Sequence, residues 1–451
     1  MTVAPFHVMI IGAGTGGMCL AHGLKQAGIS VAVYERDRTR TDGLYGYRVG
    51  IDPDGSRALH ACLPQDLYDT FVATCARAPR YFNMLDEQMR ELLSLRLRDE
   101  TDPINSEKSV SRMTLRQVLL TDADDMVHFD KDFVRYEHEA DGRVTAHFAD
   151  GTSATGDLLV AADGTRSRVR RQYLPHATVQ PSGVVAIGGK VALTDETKHL
   201  VPPKVFEGIS LVFAPRGYSV VLHVMEFKWD RAGKVRGNIG GSDAELIARW
   251  PGLMYDNTRD YINWGFAAHV NKFPDDVTEM RGTDLVRLVE QMTPGWDDNL
   301  RTIFHLTDPG SCFPVSIATS VPVPQWKATN VTLLGDAIHT MTAGRGVGAN
   351  TALRDANLLR RKLIAVRDGQ KKLLEAVSEY ETRMVEYGFK AVEDSKKQQN
   401  GDSVLHKPVV GRVALAAMRT GMRVVNRLPS VQKKMTDSLY RYRGADRDDE
   451  E

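Results

Sequence analysis

Four cysteines, Cys19, Cys62, Cys75 and Cys312, are scattered along 451 residues. None falls in a Cys-x-x-Cys pair, so the sequence indicates neither a zinc site nor a redox dithiol, and the scarcity fits a reducing compartment. A surplus of charge of either sign is missing too: 58 Lys and Arg balance 58 Asp and Glu. No nucleic-acid partner is therefore expected. No run approaches the roughly 18 apolar residues that span a bilayer, and no basic lead precedes the apolar stretch near the N-terminus. Membrane association is not expected, and the cytoplasm is the default location. Internal repeats and metal-ligand spacings are absent as well.

What is present is a chain with 42% hydrophobic and 26% charged residues, the profile of a globular protein with a sizeable core. Its length suggests two or three structural units. Val8 to Ile11 reads as a buried strand. Leu20, Ala21 and Leu24 mark one face of a helix that Gly28 would stop, and Ile29 to Tyr34 alternates as a second strand. From about 55 to 128 the pattern is mostly helical. Phe133 to His138 and Arg143 to Phe148, separated by Asp141-Gly142, predict a hairpin. From about 180 to 320, β-branched runs such as Ser219 to Val224 alternate with Gly and Pro, the texture of an inserted antiparallel sheet. Val331 to Leu334 is a further strand. Beyond Asn350 a long helix carries Ala352, Leu353, Ala356, Leu359 and Leu363 on one face. The segment from about 405 to 440 is amphipathic and basic, and is expected to pack over the N-terminal domain.

Three motifs sit among these elements. The first is Gly12-Ala13-Gly14-Thr15-Gly16-Gly17, after the first strand, with Glu35 closing the second. In such a turn Gly12 permits the tight bend, Gly14 lets the backbone approach a pyrophosphate, and Gly17 lets helix and strand pack closely. The helix N-terminus offers free N–H groups to phosphates. Glu35 stands at about the 20-residue spacing of a ribose-binding carboxylate. The second motif is Asp163-Gly164, closing the apolar run Leu158 to Ala162. The third is Gly335-Asp336, followed by Gly344-Arg345-Gly346-Val347-Gly348-Ala349-Asn350.

No other glycine cluster has dinucleotide spacing; Gly188-Gly189 and Gly237 to Gly241 do not fit. The chain thus has one dinucleotide domain and a late Gly-Asp segment that calls for a cofactor long enough to reach it. FAD satisfies both. Asp336 would accept hydrogen bonds from ribityl or ribose hydroxyls. The turn Gly346 to Asn350 opens a helix whose N–H groups can face the flavin pyrimidine and stabilise reduced flavin.

In these motifs the sequence resembles the single-component (group A) flavoprotein aromatic hydroxylases, the p-hydroxybenzoate and salicylate hydroxylase superfamily. Members that tailor natural products are closest in texture. The resemblance covers about residues 6 to 390, with Gly335-Asp336-Ala337-Ile338-His339 its most specific stretch. It implies an α/β fold: a Rossmann-like FAD-binding domain of the p-hydroxybenzoate hydroxylase type, an inserted antiparallel-sheet substrate domain, and C-terminal helices. The boundaries would be 1–178 and 321–400 for the FAD domain and 179–320 for the substrate domain, with part of 40–110 contributing. A helical tail would occupy 401–451.

The resemblance further implies that Gly12, Gly14, Gly17, Glu35 and Arg36 bind the ADP half of FAD. It assigns Arg112 to a flavin contact and Asp163 to FAD and pyridine nucleotide. Asp336, Gly346, Val347, Gly348, Ala349 and Asn350 would contact the ribityl chain and isoalloxazine. Arg48 and Gly50, in Tyr-Arg-Val-Gly-Ile, fall in a stretch that touches flavin or NADPH. Ala343 stands where such enzymes commonly have proline. The implied chemistry is reduction of FAD by NADPH or NADH, reaction with O2 to a C4a-hydroperoxyflavin, and oxygenation of an aromatic or polyketide-like small molecule. Hydroxylation, epoxidation and Baeyer-Villiger insertion remain open. So do oligomeric state, a flavin-dependent halogenase, and an O2-independent reductase or dehydrogenase. No catalytic base is assigned; His223, Tyr218 and His269 are the side chains that could face a substrate.

Overall fold

Strand His7–Ile11 is apolar and buried from Val8 onward, and it takes the middle of a five-stranded parallel sheet. The order is Val331–Leu333, Leu158–Ala161, His7–Ile11, Ser30–Tyr34 and Val127–His128. A central parallel strand covered on both faces requires such a continuous apolar run. The structure, a computed structural model, describes residues 6–40, 46, 48–98, 102–227, 260–399 and 401–444. Helix Thr15–Gln26 links the first two strands of the sequence, and Gly28, at φ +68°, ends it. The helix is buried from Gly16 to Leu24 and not along one stripe, because it is wedged between the sheet and helix Gly348–Arg367. A Cβ on Gly16 would lie 2.5 Å from Leu334 Cδ2, and one on Gly17 3.3 Å from Ile10 Cγ2. Burying both faces of this short helix is what its small residues permit.

Strands Phe133–His138, Val144–Phe148 and Ser153–Gly156 form a three-stranded antiparallel sheet whose first turn carries Gly142 at φ +86°. A larger sheet has seven strands in the order Phe313–Ser320, Val179–Ala192, Tyr261–His269, Ser219–Met225, Gly208–Phe213, Tyr81–Leu85 and Glu91–Arg96. Its neighbours are antiparallel except Gly208–Phe213 beside Tyr81–Leu85. The region from 55 to 128, read as mostly helical, therefore also supplies Tyr81–Leu85, Glu91–Arg96 and Lys108–Ser111. Lys108–Ser111 pairs with Arg48–Ile51 in a two-stranded sheet. These strands are short and alternate weakly, so helical periodicity on either side masked them.

The two faces of the large sheet differ. One packs Val220, Leu222, Val224, Ile262, Trp264 and Phe266 against helices Thr283–Met292 and Asp298–His305. Trp264 Nε1 donates to Thr307 Oγ1 at 2.8 Å, satisfying the one polar atom of a fully buried ring. The opposite face leaves Val221 and Val315 41% and 43% exposed.

The C-terminal helices Val410–Val425 and Pro429–Tyr442 lie along the edge strand Glu91–Arg96 and not over the parallel sheet. The end of the second meets the cofactor domain, Tyr442 stacking on Arg345 and the Gly444 carbonyl accepting from Arg57 at 2.8 Å. Asn426 Oδ1 accepts from the Ser94 N–H at 3.0 Å, and the Tyr440 hydroxyl accepts from the Arg98 N–H at 3.0 Å. An unpaired sheet edge gives the tail a partner that the covered parallel sheet lacks. Val409, Val410 and Val413 stay exposed. Among the described residues no helix is long and apolar enough to cross a membrane. Cys19 and Cys62, far apart in sequence, come together where their helices cross, and the Cys19 thiol donates to the Ala58 carbonyl at 3.9 Å. Gly237 to Gly241, Trp229, Trp250 and the acidic run from Asp448 lie outside the described residues.

Candidate active site

The parallel sheet aligns the motifs along one edge. Ile11, Tyr34, Ala161 and Leu333 end adjacent strands. Gly12, Glu35, Asp163 and Asp336 therefore follow at the carboxyl ends of neighbouring strands, in the order Asp336, Asp163, Gly12, Glu35. Four strands span roughly 14 Å at about 4.8 Å each. Ligands of open parallel sheets lie outside this edge.

The glycines of the first turn have separable reasons. Gly12 has φ +106°, and a Cβ there would sit 2.5 Å from the Ala162 carbonyl oxygen. A Cβ on Gly17 would lie 2.3 Å from the Gly12 carbonyl oxygen. These two are demanded by the protein itself. Gly14 differs: its backbone is extended, at φ −76° and ψ 178°, and its Cβ would find nothing nearer than 4.0 Å. Its small size keeps clear the space before an uncapped helix N-terminus. Glu35 is held by two backbone donors, with the Ala13 N–H 2.7 Å from Oε2 and the Asp37 N–H 3.0 Å from Oε1. Arg36 follows it and is exposed.

At the late motif Gly335 has φ +62°, and its N–H donates to Asp355 Oδ2 at 2.8 Å. Asp336 starts helix Asp336–His339. Burial by surrounding protein pushes its carboxyl up, against the opposing charges of His339 and Arg112. Yet Asp336 and Arg112 remain open to water. Groups crowded by protein and still reached by solvent line a cleft. Arg112 also bounds the close approach of Gly46, whose Cβ would meet Arg112 Cδ at 2.8 Å. Asp163 spends Oδ2 on the Arg168 N–H, 2.8 Å away, while buried Oδ1 has no partner among the described residues. Burial raises its carboxyl above the usual range.

Gly346 takes φ +65°, Val347 is buried, and Gly348 and Ala349 open helix Gly348–Arg367 with no side-chain cap and no acidic residue in its first turn. Asn350 is a staple. Its Oδ1 accepts from the Asp52 N–H at 3.0 Å and its Nδ2 donates to the Gly50 carbonyl at 2.9 Å. Strand Arg48–Ile51 is thereby fixed against the helix N-terminus. Arg48 folds back over Gly50 and donates to Ser109 Oγ at 3.1 Å. Burial and the charge of Arg443 push its guanidinium down to about 10.

These features fit FAD: free space at Gly14, an uncapped helix N-terminus, an orphaned Asp163 oxygen, and a cleft lined by Arg112 and Asp336. The matching family is the FAD binding domain family, over residues 109–393. Over 401 residues the chain is 31% identical to a dual O-methyltransferase/FAD-dependent monooxygenase of Cercospora beticola, covering 84% of this chain and 44% of that protein. A FAD-dependent monooxygenase of Trichoderma harzianum is 28% identical over 89% of this chain and 95% of its own length. A crystal structure from Photorhabdus luminescens, assigned as an FAD containing monooxygenase, superposes with a TM-score of 0.75 at 32% identity, covering 87% and 97% of the two chains. The chain belongs to this family of group A FAD monooxygenases, and FAD is its cofactor, with NAD(P)H as the family's reductant. It spans less than half the length of the Cercospora relative.

Several residues that hold the site escaped the sequence reading. Asp355, fully buried, accepts from Gly335 N–H, from His339 Nε2 at 2.7 Å and from the Tyr387 hydroxyl at 2.6 Å. A lone carboxylate beside Leu353 and Ala356 on an apolar helix face was the available signal. Arg170 holds the turn from its other side, donating to the carbonyls of Ala337 and Thr165 at 2.8 and 2.9 Å. Of the side chains considered as possible bases, Tyr218 lies in the packed core against Phe266, and His269 turns away, accepting from the Asn271 N–H. His223 is buried on the open-faced side of the sheet. Arg345 is engaged by Asp394 at 3.8 Å and stacks on Tyr442.

Ala343 is the exposed first residue of the short turn Ala343–Arg345, and the preceding Thr342 has φ −64° and ψ 154°. That backbone accepts proline at 343. Ala343→Pro is expected to stabilise the protein by about 0.4–1 kcal/mol, by restricting the unfolded chain. A lowered thermal midpoint for the variant would contradict this.

Proposed function

We propose that this chain uses NAD(P)H and O2 to hydroxylate a small aromatic or polyketide-like molecule held between the FAD groove and the open face of the large sheet. Residues 1–178 and 321–400 would hold FAD, residues 179–320 with strands from 40–110 the substrate, and 401–451 would brace the edge. Gly12, Gly14, Gly17, Glu35 and Arg36 would take the ADP half. Arg112, Asp163 and Asp336 would take the centre, and Arg48, Gly50 and Gly346 to Asn350 the flavin end. Bound FAD supplies the two-electron link between NAD(P)H and O2.

The observation carrying this reading is a connected path. Asn350 joins the helix N-terminus to Gly50, and Arg48 on the same strand lies within electrostatic reach of His223 and Tyr261 on the sheet. The sheet face beyond is apolar and unfilled, with Val221 and Val315 exposed and open space above Gly265. An apolar wall with few polar groups suits an aromatic substrate and keeps water from reactive oxygen species. The chain's residues orient the substrate and exclude solvent.

The test is turnover under 18O2 with NADPH and a panel of hydroxylated aromatics. Label in the product, with O2 uptake that rises on substrate addition, is expected. Product formed without O2, or only with halide present, would contradict the proposal.

A further inference from the structure

The sheet face on the side of Val221 holds three polar atoms without a hydrogen-bond partner among the described residues. His223 and Asn263 are register partners on neighbouring strands, which places their Cβ atoms side by side, about 5 Å apart. They are 2% and 9% exposed. Neither ring nitrogen of His223, nor Asn263 Oδ1, has a hydrogen-bond partner among the described residues. Buried polar atoms are nearly always paired, and leaving several together unpaired is costly.

These atoms are shut off from solvent, but the rung beside them on the same face is open. In the next rung along the strands, Gly265 pairs with Val221. A Cβ on Gly265 would meet nothing within 4 Å, and Val221 is exposed. The reverse side of the same strands is the filled core of Leu222, Val224, Ile262 and Trp264. The missing partners therefore belong to whatever occupies the open side.

The chemistry of the occupant follows from the atoms. Burial, with the guanidinium charges of Arg48 and Arg77, holds the His223 imidazole neutral, so it presents one N–H and one lone pair. With its lone pair turned to the open side, the ring sets a second acceptor beside the Asn263 carbonyl oxygen. Resting on the monooxygenase reading above, we infer that His223 and Asn263 form an acceptor pair between which a substrate hydroxyl shares its one proton. The pair selects a phenol or enol that still carries its proton. A methyl ether of the same ring system fills the same volume but leaves the pair unbonded, and sites built to bond a hydroxyl discriminate strongly against analogues that lack it.

The experiment titrates FAD-loaded full-length chain with phenol, 1-naphthol and 1-hydroxyanthracene, and with their methyl ethers. Perturbation of the flavin absorbance and titration calorimetry give the dissociation constants. At least one hydroxyarene is expected to bind about tenfold or more tightly than its ether. His223→Leu and Asn263→Leu should each reduce that preference to about twofold or less. If His223→Leu fails to take up FAD, Asn263→Leu carries the same test. Gly265→Val fills the open space without touching either acceptor, and should weaken hydroxyarene and ether alike. Ethers binding as tightly as hydroxyarenes, a preference surviving both Leu variants, or no binding by any member overturns the inference. Flavin bleaching by NADPH is read on the same samples. A hydroxyl preference without bleaching removes the monooxygenase reading and leaves the pair standing; bleaching without a preference removes the pair alone.

Discussion

Gly14→Val should yield folded, colourless protein. The position is extended backbone that any residue adopts, and no protein atom lies closer than 4.0 Å to a new Cβ. The fold has no objection to the side chain; a pyrophosphate before the helix N-terminus does. Flavin affinity is expected to fall by about 100-fold or more, since a branched side chain blocks close approach of phosphate to the N–H groups. The contrast lies two and three residues away. Gly12→Val requires a β-branched residue at φ +106°, and Gly17→Val drives Cβ to within 2.3 Å of a carbonyl oxygen. Both should lose the fold itself and appear as insoluble protein or a collapsed thermal midpoint. Flavin absorbance per protein, FAD titration and thermal melts separate the cases. A Gly14→Val protein that retains FAD at wild-type affinity would place the cofactor elsewhere.

Asp355→Ala is the second large effect, at a residue expected to touch no ligand. It removes the common acceptor of the Gly335 N–H, His339 and the Tyr387 hydroxyl, all at a carboxylate with no exposure. Removing one partner of a buried ion pair and stranding its neighbours costs about 3–5 kcal/mol. The Gly335-Asp336 turn loses its anchor, so FAD affinity should fall along with stability. Asp355→Asn keeps an acceptor for Gly335 and should lie between. Burial opposes the charge on His339, but Asp355 outweighs it and raises the imidazole above its usual 6.5. A raised histidine stabilises fully below its unfolded value and less as pH climbs through its folded one. The stability difference between wild type and His339→Gln should therefore be largest in mild acid and shrink in alkali. A difference that grows with pH would show that the pair is not ionic.

Much of the groove was legible because its residues answer to backbone geometry. Gly12, Gly17 and Gly335 are fixed by positive φ or by atoms that a Cβ would strike. Glu35 is fixed by strand length, since it must follow Tyr34 at the sheet edge. Such constraints act over a few residues and leave a short spelling in the sequence. Asp355 and Arg170 were not legible, because their partners lie on other elements and only tertiary packing brings them together. The strands Tyr81–Leu85 and Glu91–Arg96 escaped for a related reason. They join a sheet through strand Gly208–Phe213, more than a hundred residues away, so nothing local demands their pairing. His223 was noticed on an alternating strand, but its isolation from any partner became visible only once Asn263 and Gly265 were beside it. The Cys19–Cys62 contact likewise needed two helices to cross.

The most direct test of the central claim, one FAD held along the sheet edge and used for oxygenation, is an anaerobic visible spectrum of the FAD-loaded chain before and after NADPH. Bleaching of the flavin band, strongest with a hydroxylated aromatic present and reversed by admitting O2, is the expected result. A chain that takes up no FAD, or a bound flavin that only a chemical reductant can bleach, would contradict it.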